Sequence, residues 1–312
     1  MGHEELAVAE LLSDGGAAAL SDDLFRSAAY LEAEGTTHTL RIRSAGGESL
    51  VPLIVRGIDD GDAIDAVSPY GYPGGLVSGE PPGAGAVDWG PAGLVSIFAR
   101  ERLGAPPWLV DPSRKGRVHL HDPAKPRELR GRLAEQVRAN ERDGWEVETL
   151  AGPESPQADR AAFAAAYEQT MHRAGAAQRY FFAPSYFEAV LSFERSWLLV
   201  GRRGGEVGAA AIAAVSDGLL HYFLGGTSAT ARSASPFKNV VVGMLDLADE
   251  LGLALNLGGG IRPGDGLDEF KRGFANAELG FFTHEVVCDP VAYAELTGDR
   301  NGGEFFPAYR AP

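Results

Sequence analysis

Cysteine is nearly absent from the sequence: Cys288 stands alone, so no intrachain disulfide can form and no oxidising compartment is implied. Long apolar runs are missing too. No stretch reaches the ~18 consecutive apolar residues that a membrane span requires, and the opening MGHEELAVAELL has neither a basic start nor a long apolar core. A cytoplasmic protein with no membrane partner is the expectation. There is also no G-x-S-x-G elbow, Walker loop, Rossmann glycine fingerprint or H-E-x-x-H pair, so nucleophilic triad chemistry has no support. Cys288, in EVVCDP, reads as a buried structural thiol rather than a nucleophile.

Positive charge is scarce. The chain has 28 Lys and Arg against 43 Asp and Glu, a formal net charge of -15, which argues against a general nucleic-acid binder because phosphate affinity comes largely from basic side chains. The deficit is uneven: residues 1–110 hold 6 basic and 16 acidic side chains, residues 111–143 hold 9 and 6. This basic interval includes Arg127, Arg130 and Arg138. It reads either as the solvated face of an amphipathic helix or as a surface for a polyanion such as an RNA acceptor stem.

The 312 residues, 45% of them hydrophobic, suffice for two ordinary domains. THTLRIRS and SLVPLIVRG around a Gly-Gly turn predict a hairpin, preceded by a helix capped by Ser21 and ended by Gly35. The Gly- and Pro-rich residues 70–90 read as loop, and PAGLVSIFARERLG as a helix with Pro91 in its first turn. After the strand GRVHLHD, a helix ended by Gly144 bridges the domains, and a second opens at Ser155 and Pro156 with Phe163, Tyr167, Met171 and Ala174 on one face. An antiparallel meander, a helix, a strand, a short helix and a final strand complete the chain. His119, His121 and Asp122 make only a partial ligand set, read as surface or interface residues, and no metal is predicted.

The most informative stretch is LALNLGGGIRPGDGLDEFKRGF, residues 253–274. A strand ends in Gly258, Gly259 and Gly260, where a ligand or another backbone can approach closely. The helix that follows sets Lys271 between Phe270 and Phe274. A partly desolvated ammonium there can hold the oxyanion of an acyl transfer; a tight strand-to-helix connection with a solvated lysine explains the same residues.

Together with SPYGYPGG, MHRAGAAQRYFF, LLHYFLGGT and SPFKNVVVGMLDLADELG, in that order along the chain, this stretch resembles the FemABX branch of the GNAT acyltransferase superfamily. The resemblance implies an α/β (α+β) fold of two GNAT-like domains, each a mixed, mainly antiparallel sheet flanked by helices. They would comprise residues 1–144, with residues 286–312 returning to them, and residues 145–285. It further implies an enzyme that passes an amino acid from aminoacyl-tRNA to the amine of a small peptide-like acceptor, with Lys271 stabilising the oxyanion and Phe270 seating the tRNA end. Tyr70, Tyr72, Arg179, Tyr180 and Tyr222 would line the substrate, and Arg127, Arg130, Arg138, Arg232 and Lys238 would meet the tRNA. Tyr222 can equally be a core tyrosine with its hydroxyl satisfied. Acetyl-CoA enzymes of the superfamily carry a glycine-bearing pyrophosphate loop, whereas residues 227–238 here contain no glycine. No cofactor, and no coenzyme A, is therefore expected; an acyl-CoA-dependent N-acyltransferase is the alternative.

Overall fold

The alternating apolar positions of the first hairpin do pair as expected, burying Leu40 and Ile42 of one strand against Val51 and Leu53 of the other. In the computed structural model, which describes residues 6–13, 20–59, 61–127, 129–300, 302–303 and 305–311, the chain divides into two units. Unit 1 takes the chain up to Gly116 and from Gly280 onward; unit 2 is Arg117–Leu279. The boundary read from sequence at residues 144/145 thus falls inside unit 2, because the basic helix packs within that unit, through Asn140 and Gln136.

Unit 1 begins with β1 (Ala7–Leu12), α1 (Ala28–Ala33), β2 (His38–Arg43), β3 (Gly47–Gly57), β4 (Ile64–Val67), β5 (Leu76–Gly79), β6 (Val87–Asp88) and β7 (Ser96–Arg100). Its sheet runs β6-β1-β2-β3-β4-β7, with β5 paired to β3, and among the described residues only the strand pairs β1/β6 and β4/β7 are parallel. Two sequence expectations fail here. The helix expected from Ser21 is a 3-10 turn followed by a shorter α1, whose cap is Ser27, accepting from the Tyr30 N–H. Arg26 interrupts it by turning wholly inward, donating to the Pro73 carbonyl at 2.9 Å. The helix expected after Pro91 is instead β7, where Ile97 and Ala99 are fully buried and strand pairing outweighs local propensity.

Unit 2 contains β8 (Arg114–His121), which enters from unit 1, then α2 (Gly131–Arg142), β9 (Glu146–Ala151), α3 (Gln157–Ala174), α4 (Pro184–Leu191), β10 (Ser196–Arg203), β11 (Glu206–Ser216), β12 (Leu219–Thr227), α5 (Phe237–Leu251), β13 (Leu255–Gly258) and α6 (Gly266–Arg272). The strand order is β8-β13-β12-β11-β10-β9, antiparallel except for β12/β13. The small residues Ala209, Ala211 and Ala213 let α5 approach β11, and Val240, Val241, Met244 and Leu245 bury there at about 1.5–3 kcal/mol per large side chain. On α3 the expected apolar face holds for Phe163 and Tyr167, while Met171 is only partly buried and Ala174 is exposed.

The chain returns through β14 (Ala277–Val287), antiparallel to β7, and α7 (Pro290–Thr297). Near its end Tyr309 and Arg310 bond the buried Asp65 of unit 1, which also pairs with Arg56. Both units are mixed, mainly antiparallel sheets flanked by helices, the fold class expected. Among the described residues no helix is long and apolar enough to cross a membrane.

Candidate active site

The site lies in unit 2, where the parallel pair β12/β13 opens. Pairing covers only Leu220 with Leu255 and His221 with Asn256, after which β12 continues along β11 alone. A bulge at Phe223 in β12 and another at Leu257 in β13 adjoin the opening. The crevice beyond the carboxyl ends of such strands is where sheets of this type place ligands.

The turn after β13 is ordered by two carboxylates. Asp265 caps α6: its Oδ1 accepts from the N–H groups of Leu267 and Asp268 and its Oδ2 from those of Ile261 and Arg262. Asp268 accepts from the Gly264 N–H and lies 2.8 Å from Nε2 of His119 on β8. These bonds hold both below the usual carboxylate range, the backbone N–H of Arg262 foremost for Asp265 and the His119 hydrogen bond foremost for Asp268. The turn's amides are thereby spent on the chain's own acids rather than left for a phosphate.

The glycines serve the same construction. Gly258 takes φ +77°, a left-handed conformation glycine adopts freely. A Cβ on Gly259 would sit 2.8 Å from the Arg117 carbonyl, and one on Gly260 would strike Asp265 and the Arg262 carbonyl. At Gly259 another stretch of backbone, the Arg117 carbonyl, makes such a close approach.

Lys271 is held one turn after Asp268. Its ammonium donates to the Gly259 carbonyl at 2.8 Å and lies 5.6 Å from the centre of the Tyr222 ring. Burial pushes its pKa down to about 8, against the opposing pull of Asp265 and Asp268. Tyr222 packs against Phe237, and Phe270 against Phe237 and Phe274, so the lysine stands on an aromatic floor. An ammonium has three N–H donors. With one spent on Gly259, two remain for an oxygen that gains charge.

The remaining sequence candidates make contacts of their own. Tyr70 and Tyr72 belong to unit 1: the Tyr70 N–H donates to Glu34 at 2.8 Å, and Tyr72 packs edge-on to Phe25 and Phe281. Arg179 is exposed, its guanidinium over the Tyr180 ring at 4.9 Å, in the turn after α3. Arg127 is bound to Asp246 and Asp249 and Arg130 to Glu269, whereas Arg138 and Arg232 are exposed and Lys238 is partly buried near the start of α5. His119 and His121 correct a sequence expectation: both are buried, because each ring is drawn to a carboxylate, His119 to Asp268 of α6 and His121 to Asp249 of α5. Among the described residues no cluster of His, Cys, Asp and Glu could hold a metal ion. Burial pushes the Cys288 thiol up to about 12, which keeps it protonated.

Sequence reasoning passed over Asp265, Asp268 and Phe237. The signal for the two acids was present, since Asp-x-x-Asp after a glycine turn is a helix start.

The segment joining β12 to α5 is wound into turns, several of whose amides are donated within the chain. The N–H groups of Ser228, Ala229, Ala231, Ala234, Ser235 and Lys238 all donate within unit 2, and Pro236 has none.

Residues 127–272 match the family model described as an acetyltransferase (GNAT) domain. Unit 2 is GNAT-like. No curated protein matches the chain. Among solved structures, the C-terminal domain of a putative lysylphosphatidylglycerol synthetase from Agrobacterium fabrum is 18% identical, with 86% of this chain and 88% of that one covered at a TM-score of 0.55. FemX is 11% identical over 82% and 89%, TM-score 0.55. L-PGS from Bacillus licheniformis is 14% identical over 89% and 91%, TM-score 0.53. At these identities the likeness is one of fold.

Proposed function

We propose that the protein is an aminoacyltransferase that forms an amide between an amino acid carried by aminoacyl-tRNA and the amine of a small peptide-like acceptor. The observation that carries the reading is the desolvated Lys271 ammonium, held between the Gly259 carbonyl after β13 and the Tyr222 ring of β12 with two donors to spare. The acceptor nitrogen attacks the ester carbonyl carbon, and the carbonyl electron pair moves onto oxygen. Lys271 holds that oxyanion; its collapse reforms C=O, breaks the C–O bond to the ribose and leaves the amide. The ribose oxygen takes up the proton that the amine gives up. Positioning and charge stabilisation carry such a reaction once the amine is neutral.

Three further observations support this donor. Six amides of the β12–α5 turns are donated internally; residues 227–238 contain no glycine; and two of the structures with this fold bear names of aminoacyl-transfer type, FemX and a lysylphosphatidylglycerol synthetase. No metal or redox cofactor enters the reaction, and the cytoplasm, where charged tRNA is made, suits it. A second reading, an acyl-CoA-dependent N-acyltransferase, is favoured by the description of the family model itself. The two are separated by incubating the protein with peptides and tRNA charged with each labelled amino acid, and in parallel with acetyl-CoA. Label transfer abolished by ribonuclease is expected; sustained turnover on acetyl-CoA alone would replace the first reading by the second.

A further inference from the structure

We infer that His119 is a positioning residue for Lys271, acting through Asp268 to hold the short helix α6 at the end of β13. The inference rests on the reading of Lys271 as oxyanion donor and extends it to a residue on a different strand.

Helix α6 has seven residues and none of them is fully buried. A helix so short has no stability of its own, and desolvation of the ammonium favours swinging Lys271 out to water. Something must hold it in. The Asp265 cap fixes the start of α6 to its own turn, and Phe270 packs on Phe237 and Phe274. His119 provides a polar tie to the sheet: it pairs with Gly258 in the ladder, is 4% exposed, and its Nε2 meets Asp268 Oδ1 at 2.8 Å. Asp268 and Lys271 stand three residues apart and share a helix face.

The groups facing Lys271 are few. Asp265 and Asp268 come from the cap and first turn of α6, the Gly259 carbonyl from the end of β13 and the Tyr222 ring from β12. On α6 itself Glu269 pairs with Arg272 and with Arg130, the residue before α2. His119 reaches the lysine only through Asp268, which makes it a positioning group rather than one that touches substrate.

The test reads Lys271 directly. The chain has four lysines, so the Lys271 ε-methylene resonance of full-length protein labelled at lysine can be assigned and titrated, beside kcat and KM for aminoacyl transfer. His119→Leu is expected to release α6, raise the Lys271 pKa from about 8 towards the ordinary lysine value, and cut kcat about ten- to a hundredfold with KM little changed. His119→Gln, which retains a donor, should restore most of both. Asp268→Asn keeps the shape but removes the carboxylate charge, and should move the Lys271 pKa below about 8. A folded His119→Leu protein whose Lys271 titrates as in wild type overturns the inference. If that variant does not fold, an unchanged Lys271 titration in His119→Phe, which fills the space without a donor, overturns it instead. Full activity in Lys271→Met would sink the proposed mechanism itself, a separate result from either.

Discussion

The ammonium of Lys271 rests against the face of Tyr222, 5.6 Å from the ring centre, so a cation driven outward by desolvation is drawn inward by a π system. The ring is therefore expected to matter more than the hydroxyl. Tyr222→Phe should keep kcat within about threefold, whereas Tyr222→Leu, which loses about 0.5–2 kcal/mol of cation–π attraction, should lower it about tenfold. Steady-state kinetics on the two variants checks this; equal losses would shift the role to the hydroxyl.

Lys271→Met should cut kcat by about 10² to 10³ with little change in KM, the loss expected for one oxyanion donor. The same variant should be the more stable protein at pH 7, by about 1–3 kcal/mol, because Met buries its stem without a charge. Denaturant unfolding beside the kinetics would reveal the trade. A Met variant that is both active and no more stable would assign Lys271 to the surface.

The pH dependence follows in sign. Lys271 titrates at about 8 when folded and 10.5 when unfolded, so below pH 8 both states are protonated and wild type bears the whole cost of the buried charge. Between the two values the unfolded state binds more protons, and wild-type stability should rise relative to Lys271→Met. Activity should move oppositely. An oxyanion donor must be an ammonium, so kcat should fall as pH rises through about 8. A kcat that keeps rising past pH 9 would make the neutral amine the active form.

The basic residues separate by pairing. Arg127 and Arg130 are engaged with Asp246, Asp249 and Glu269, so Arg127→Ala should act mainly on stability. Replacing Arg138, Arg232 and Lys238 together should raise KM for charged tRNA and flatten its dependence on salt. An unchanged salt slope would leave those three as an ordinary solvated face.

Asp265 accepts from four backbone N–H groups around the glycine turn. Asp265→Ala should cost about 1–2 kcal/mol, the usual value of a lost helix cap, and should weaken hydrogen-exchange protection in α6 before the rest of unit 2. Uniform loss of protection would mean that α6 does not unfold separately.

Much of this protein could be read from its sequence. The β2/β3 hairpin, the β10–β12 meander, α5, β13 and the Lys271 helix follow from apolar periodicity and glycine or aspartate punctuation, signals that act over a few residues. Lys271 between two phenylalanines stood out for the same local reason. Tertiary structure alone decided the rest. Residues 96–100 carry a helix-like pattern but become β7 because a sheet neighbour on each side supplies the backbone partners, and Arg26 breaks the first helix for a carbonyl 47 residues away. His119 joins Asp268 across 149 positions. The lowered pKa of Lys271 comes from burial, and the ring its ammonium faces, Tyr222, lies 49 residues away in sequence. Such effects depend on which surfaces lose water together, and only the folded chain sets that.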